Sequence, residues 1–379
     1  MTDVPFQDTT RVDARDKVRG KALFGADDAR PDMVHAALAV ATIGKGRIVS
    51  LDTRAAAAVS GVRLVLTHRD LGDVKSAGFL MAGGYGFQSL QPMLSPAIAY
   101  RGQPIALVAA DSLEAAIEAA ALVEATYAAE PISVTLDATG AETINQADTP
   151  LKNFIPEVIA GDADKAFADA PVKIDARFIS APQHQNPIEL IATVAEWNDG
   201  KLTVHEGTQN AEAIRHGLMA ALGLTADQVQ VVSPYAGGGF GQKNSLQMQT
   251  VLAAVAARRL QRPVKLVVSR AQIFHDASFR AASRQRVRLG ADRSGQMLAA
   301  IHEVDAQTSR HDFMPAEFAA VSSRLYRKFS WPRAPGAHGR ADAGLYAGIL
   351  RTRCMLCHGI LYRRTGVRAG KGSRDAAAR

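Results

Sequence analysis

Two cysteines in 379 residues, Cys354 and Cys357, give no disulfide framework for a chain of this length, so its stability must come from buried apolar cores. No run of about 18 uninterrupted apolar residues occurs, which removes a membrane-spanning helix from consideration. The opening MTDVPFQDTTRVDARDKV mixes acids with bases and has no apolar segment, so no secretory signal is read there and a cytoplasmic location is expected. There is no internal repeat. Neither G-x-S-x-G nor H-E-x-x-H is present, which weighs against serine hydrolases and zinc proteases. Aromatic residues are sparse at 6%, but 47% hydrophobic and 21% charged residues sit near the globular average and exclude a disordered or fibrous chain. At about 150 residues per domain, two or three domains are expected.

A net charge of +7 invites a nucleic-acid partner until it is divided by position. From Leu325 to Arg379, twelve basic residues stand against Asp342 and Asp375, a surplus of +10. The preceding 324 residues hold 32 bases and 35 acids, a net of −3, which is ordinary for a soluble domain pair. The basic character belongs to the tail, and no nucleic-acid or membrane partner is expected.

Short strands and helices alternate along the rest. Residues 34 to 42, 47 to 51, 62 to 66 and 105 to 109 read as strands, and TRAAAAVSGV as a short helix ending at Gly61. Asp111 with Glu114 forms a capping-box pattern before LEAAIEAAALVEATY. Residues 78 to 87, with Gly83-Gly84-Tyr85-Gly86, are too glycine-rich for a helix and read as a structural or lid loop. Residues 132 to 165 read as a polar, turn-rich linker. Strands are then expected at 172 to 179, 192 to 197, 202 to 205, 229 to 233 and 264 to 269, with 284 to 290 and 296 to 304 as a hairpin. Asn210 and Thr225 with Gln228 supply caps, and LQMQTVLAAVAARRL reads as a helix stopped by Arg262-Pro263. Beyond about Tyr326 no period of 2 or 3.6 survives, and the tail is expected to be irregular and disordered.

Chemistry concentrates on Gly237 to Gly241, GGGFG, between a strand and a helix. Glycines allow close backbone approach, and the N–H groups of such a loop, with a helix N-terminus behind it, suit an anion or a pterin oxygen. A purely structural turn is the alternative. The spacing is neither a dinucleotide fingerprint nor a P-loop, since Gln242 replaces the third glycine and Asn244 follows Lys243. Cys354 to His358 matches C-x-x-C-H, but no export signal and no later methionine accompany it, so it reads as a chance match in the tail. His184 near Glu189 and the His275-Asp276 pair show no ligand spacing and read as structural groups.

Four stretches together resemble the molybdenum-binding large subunit of the xanthine dehydrogenase and aldehyde oxidase family: Arg11 to Asp13 with residues 17 to 24 (KVRGKALF), residues 100 to 106 (YRGQPIA), Asn186 to Glu189 leading to Trp197 and Thr208-Gln209, and residues 233 to 243 (SPYAGGGFGQK). The resemblance covers about residues 10 to 325. It implies an α+β chain in which an a/b hammerhead domain (10 to 131) and a linker (132 to 165) precede a mixed α/β first molybdopterin-binding domain (166 to 325, partial), with an irregular, aberrant tail over 326 to 379. In such enzymes an aldehyde or heterocyclic C–H bond is oxidised with water as the oxygen source. The molybdenum-molybdopterin, in a dinucleotide form, passes electrons to 2Fe-2S and FAD centres, here expected on an iron-sulfur and an FAD-binding partner subunit. Residue by residue, the resemblance assigns cofactor contact to Gln209, Gly238, Gly239, Phe240 and Gly241, and substrate contact to Asn244 and Arg280. Asn244 stands where xanthine oxidisers carry a substrate-orienting glutamate, which favours an aldehyde over a purine. Family subunits are about twice as long, and their base glutamate falls outside the matching part. No catalytic residue and no metal ligand is therefore assigned, the stretch from about residue 327 is expected to be an out-of-frame or rearranged end, and the chain alone is expected to be inactive. The alternatives are a noncatalytic fragment that associates with the flavin and iron-sulfur subunits but holds no molybdenum, and an unrelated basic nucleic-acid binder that depends on residues 327 to 379.

Overall fold

The computed structural model describes residues 11–77, 90–145, 148 and 161–308. The glycine loop at 78 to 87, Cys354 to His358 and the basic tail lie outside the described residues. Chain contacts divide the protein into two compact units, Met1–Ile132 with Gln185–Ser278 and Ser133–His184 with Phe279–Arg379. In chain order the elements are α1 (Ala14–Val18), β1 (Val34–Val40), β2 (Gly46–Asp52), α2 (Arg54–Ala58), β3 (Val62–Thr67), β4 (Ala97–Ile98), β5 (Pro104–Ala110), α3 (Leu113–Ala121) and β6 (Glu124–Ala129). There follow α4 (Ala163–Asp169), β7 (Val172–Ser180), β8 (Ala192–Asn198), β9 (Lys201–Glu206), α5 (Ala211–Leu222), β10 (Val229–Val232), α6 (Met248–Leu260), β11 (Val264–Val267), α7 (Arg270–Asp276), β12 (Ser283–Ala291) and β13 (Met297–Ala306). The mixed α and β class expected from the sequence is the one observed.

The first unit is built on a seven-stranded sheet of order β10-β9-β8-β11-β1-β5-β3. Strands from both sides of the 132 to 165 segment join in it, because β1 pairs in parallel with β11 through Val34 opposite Val264. One face buries Val34, Ala36, Leu107, Leu202, Val204, Val264 and Leu266 against α5 and α6. Helix α6 lies wholly inside from Met248 to Ala257, so apart from Gln249 its sequence there is apolar or small around the whole circumference rather than along one stripe. Strand β5 is buried at all seven positions: Leu107 and Ala109 enter the main core, while Val108 packs with Ala56 and Ala119 on the opposite side. A smaller sheet, β4-β2-β6, completes the unit. The second unit is an antiparallel sheet, β13-β12-β7, packed around Ile174, Val287 and Leu289.

Three local readings need correction. LEAAIEAAALVEATY is helical only over Leu113–Ala121, and its end, from Glu124, is strand β6, which pairs with β2. The cap of α3 is Ser112, not Asp111: Ser112 has the extended backbone of a cap and accepts from the Ala115 N–H at 3.2 Å, while Asp111 binds Arg63 and Arg262. Helix α6 starts at Met248, so residues 242–247 separate it from the GGGFG loop. That segment is held in turns by the Gln247 amide, which donates to the Gln242 and Ser245 carbonyls at 2.7 and 3.1 Å. The helix end therefore does not adjoin the loop, and the donors available there are the loop's own.

The turn over residues 100 to 103 seats on the end of α7. Gly102 (φ +89°) must be glycine, since a Cβ would overlap His275. Beside it the Tyr100 hydroxyl donates to Asp276 Oδ1 at 2.6 Å. Burial pushes the Asp276 carboxyl up to about 6, against the lowering effect of that hydrogen bond. A carboxyl with a raised pKa in the folded state binds its proton more tightly there than when unfolded. Its contribution is therefore full below the ordinary value of 3.8 and is lost as pH climbs through about 6. The expected loss is on the order of 3 kcal/mol. Urea denaturation from pH 4 to 8 is expected to show Asp276→Asn flattening this slope and exceeding the parent in stability at pH 8; parallel curves would contradict the assignment.

Candidate functional site

The GGGFG loop leaves β10 and is pinned at three places. At its start, the Gly237 N–H donates to Glu189 Oε2 at 2.7 Å. Near its end, the Gly241 N–H donates to the Gln209 carboxamide oxygen at 2.8 Å. Beyond it, the Lys243 carbonyl accepts from the Gln209 N–H at 2.8 Å and the Thr208 hydroxyl at 2.9 Å. Between these points the Gly238 and Gly239 N–H groups make no hydrogen bond among the described residues. Gly238 is half-buried and Gly239 buried, and polar N–H groups left without an acceptor among the described residues suit an external one.

Side-chain volume explains the glycines. A Cβ on Gly239 would overlap the Gln209 carboxamide, and one on Gly237 would sit 2.6 Å from Glu189 Cβ. Gly238 (φ +102°) lies over Pro187, 3.2 Å from a Cβ placed there. The turn is closed by the Gln242 N–H on the Gly239 carbonyl at 2.8 Å, and both central residues have positive φ: Phe240 at +53° and Gly241 at +99°. Glycine and asparagine suit such a turn; phenylalanine is strained in it. The ring of the strained Phe240 is 56% exposed, with its edge over Gly238.

The motif stretches meet at this loop. Arg270 holds Asn186 and the Ile188 carbonyl at 2.6 and 2.8 Å, fixing the segment that carries Pro187 and Glu189. Phe24 packs against Tyr235 with ring centroids 6.0 Å apart, and the Gly25 N–H approaches Glu189 Oε1 at 3.4 Å. Behind the loop lies an ion pair, Lys243 Nζ to Glu189 Oε2 at 2.6 Å, with side chains only 3% and 5% exposed. Burial pulls the Lys243 ammonium below its ordinary range although Glu189 opposes the shift. Burial pushes the nearby Glu206 carboxyl up, although the Thr193 and Thr250 hydroxyls both donate to its Oε2 at 2.8 Å. A small cavity lined by Glu206, Thr208, Lys243 and Gln247 lies on this inner side.

Gln209, Gly238, Gly239, Phe240 and Gly241 are thus brought together. Asn244 follows them as a buried side chain whose Oδ1, like Oε1 of buried Gln242, has no hydrogen-bond partner among the described residues. Arg280 belongs to the second unit, where its backbone bridges Gln183 and its guanidinium donates to the Gln183 carboxamide at 3.0 Å. Reasoning from sequence passed over Glu189 and Lys243 as parts of the site. No local signal in the sequence marks either residue, since the space that Glu189 takes at Gly207, where a Cβ would overlap its carboxylate, exists only in the fold.

The donor set fits a molybdopterin. Two backbone N–H groups and the Gln209 NH₂, whose partner oxygen is tied to Gly241, offer donors to an oxygen-rich ligand, and exposed Phe240 offers a flat apolar wall. Relief of the turn strain gives a direct check. Phe240→Gly is expected to raise unfolding stability in urea by about 1 kcal/mol, the released strain less the entropy cost of glycine.

The chain matches two family models: the a/b hammerhead domain of aldehyde oxidase and xanthine dehydrogenase over residues 19–131, and the molybdopterin cofactor-binding domain over 146–334. It is 36% identical over 298 residues to the aldehyde oxidoreductase molybdenum-binding subunit PaoC of Escherichia coli, covering 77% of this chain and 38% of that one. The nicotinate dehydrogenase large molybdopterin subunit of Eubacterium barkeri is 28% identical over 364 residues, covering 92% of this chain and 82% of its own length. Among solved structures, aldehyde oxidoreductase from Desulfovibrio gigas superposes with a TM-score of 0.66 at 27% identity, covering 78% of this chain and 34% of that one. The chain thus spans about two fifths of the length of the Escherichia coli relative. With both domain models matched in order and the glycine loop built as described, the chain belongs to the aldehyde oxidase and xanthine dehydrogenase family, as the hammerhead and molybdopterin cofactor-binding portion of a molybdenum-binding large subunit.

Proposed function

We propose that this chain holds the molybdenum-molybdopterin group of a hydroxylase acting on an aldehyde or N-heterocycle, with water as the oxygen source. The observation that carries the reading is the pinned loop with its two unbonded amides beside the Gln209 carboxamide. When bound, the group would supply two-electron oxidation of a C–H bond. This chain's residues bind and orient. Gln209 is exposed and its carboxamide oxygen is taken by the Gly241 N–H, which leaves its NH₂ for the group, and the Gly238 and Gly239 amides would donate beside it. The exposed Phe240 ring would shield the group from water.

Asn244 and Arg280 are proposed for the substrate. A carboxamide at Asn244 offers neutral hydrogen bonds where a carboxylate would demand a cationic or acidic N–H partner, which favours an aldehyde. Arg280, held by Gln183, suits a carbonyl oxygen. The dinucleotide form of the pterin and partner subunits carrying FAD and 2Fe-2S centres complete the proposal, supported by relatives that are themselves named as molybdenum-binding or large molybdopterin subunits.

The test is metal and pterin analysis of the chain purified from a host that makes molybdenum cofactor. Molybdenum and pterin are expected in equal amounts. Gln209→Glu keeps an acceptor for Gly241 but replaces the outward donor with a charge, and its content is expected to fall about tenfold, equivalent to about 1.4 kcal/mol. A folded parent carrying neither molybdenum nor pterin would contradict the reading and leave a noncatalytic subunit-association role.

A further inference from the structure

Gly237 and Lys243, six positions apart, meet on a single oxygen. Glu189 Oε2 accepts from the Gly237 N–H at 2.7 Å and from Lys243 Nζ at 2.6 Å. We propose that Glu189 and Lys243 are positioning residues that close the cofactor loop into a ring, and that their mutual neutralisation leaves backbone N–H groups, not a side-chain cation, as the donors the loop presents. The identity of the ligand rests on the reading above; the closure of the loop does not.

Three features separate this pair from an ordinary buried ion pair. First, the slot for Glu189 is shaped by glycines: a Cβ on Gly207 would overlap its carboxylate, and one on Gly237 would strike its Cβ. Second, Lys243 ties both ends of the arrangement. Its ammonium holds Glu189 and also donates to the Leu190 carbonyl at 3.3 Å, while its own carbonyl receives the Thr208 hydroxyl and the Gln209 N–H. The side chain therefore fixes the start of the loop while the backbone fixes the residue that holds its end. Third, both groups are almost wholly removed from water, so neither charge is stable without the other. The charges facing Lys243 are Glu189, Glu206 and, opposing them, Arg270.

Removing one charge gives a signature that mere loss of packing does not. In Glu189→Gln, Lys243 becomes a buried cation whose strongest counter-charge is gone, and its folded-state pKa drops further below the unfolded value. The unfolded loop then binds more protons than the folded one, so protection rises as pH rises. Neutralising both residues removes that dependence.

Hydrogen exchange read by mass spectrometry on the full chain without added cofactor tests this, with rates corrected for intrinsic exchange. In Glu189→Gln, exchange over residues 236–244 is expected to rise at least tenfold while α6 is unchanged, and the excess is expected to shrink from pH 6 to pH 9. The double variant Glu189→Gln with Lys243→Met is expected to keep the faster loop exchange but lose the pH trend, and it carries the test if the single variant does not fold. Unchanged loop exchange, equal loosening of α6, or the same pH trend in the double variant would overturn the proposal. Failure of the parent to hold molybdenum would contradict the functional reading and leave this exchange result standing.

Discussion

One carboxylate oxygen organises the centre of this protein. Glu189 Oε2 takes a backbone N–H and an ammonium at hydrogen-bond distance, deep in the first unit. Glycines give the carboxylate space, a lysine gives it charge balance, and Arg270 fixes the segment that delivers it. The loop geometry follows from these ties. With Gly237, Gly241 and Lys243 held, the intervening backbone has little freedom, and its unbonded N–H groups are fixed before any ligand arrives. A preorganised donor set loses no conformational entropy on binding, which is the physical advantage of placing strain in the turn at Phe240 rather than leaving the loop slack.

The scaffold makes this possible by bringing distant stretches side by side. The seven-stranded sheet takes β1, β3 and β5 from before residue 132 and β8 to β11 from after residue 190. Helix α6, buried from Met248 to Ala257, packs beneath and anchors the chain that leaves the loop. Glu206, at the end of β9, and Thr193, on β8, meet Thr250 of α6 through hydrogen bonds, so the polar cluster under the loop is satisfied by the same elements that build the core. Sheet and site are one construction.

Much of this was legible in the sequence. The triple glycine after a strand, the Asn210 cap, the Thr225 and Gln228 capping box and the turn at Asn198 to Gly200 are local signals, and each has its counterpart in the structure, although residues 242–247 separate the glycine loop from the helix behind it. Contacts distant along the chain were not legible. Glu189 and Lys243 are 54 positions apart, and Tyr100 and Asp276 are 176 apart; no periodicity reports such pairs. The parallel pairing of β1 with β11 is equally silent, since it depends on a long crossover rather than a turn. Small errors arose where two adjacent residues compete for one role. Asp111 and Ser112 both suit a cap, and the arginines Arg63 and Arg262 decide the matter by claiming the aspartate.

The central claim is that Gly238 and Gly239 hold main-chain donors ready for a molybdopterin. Amide NMR of the glycine-labelled chain during titration with molybdopterin tests it most directly. The account predicts that the Gly238 and Gly239 N–H resonances shift downfield and gain exchange protection at the ligand's saturation point, while Gly237 and Gly241, already bonded to Glu189 and Gln209, move little. Saturation that leaves Gly238 and Gly239 unperturbed would contradict it.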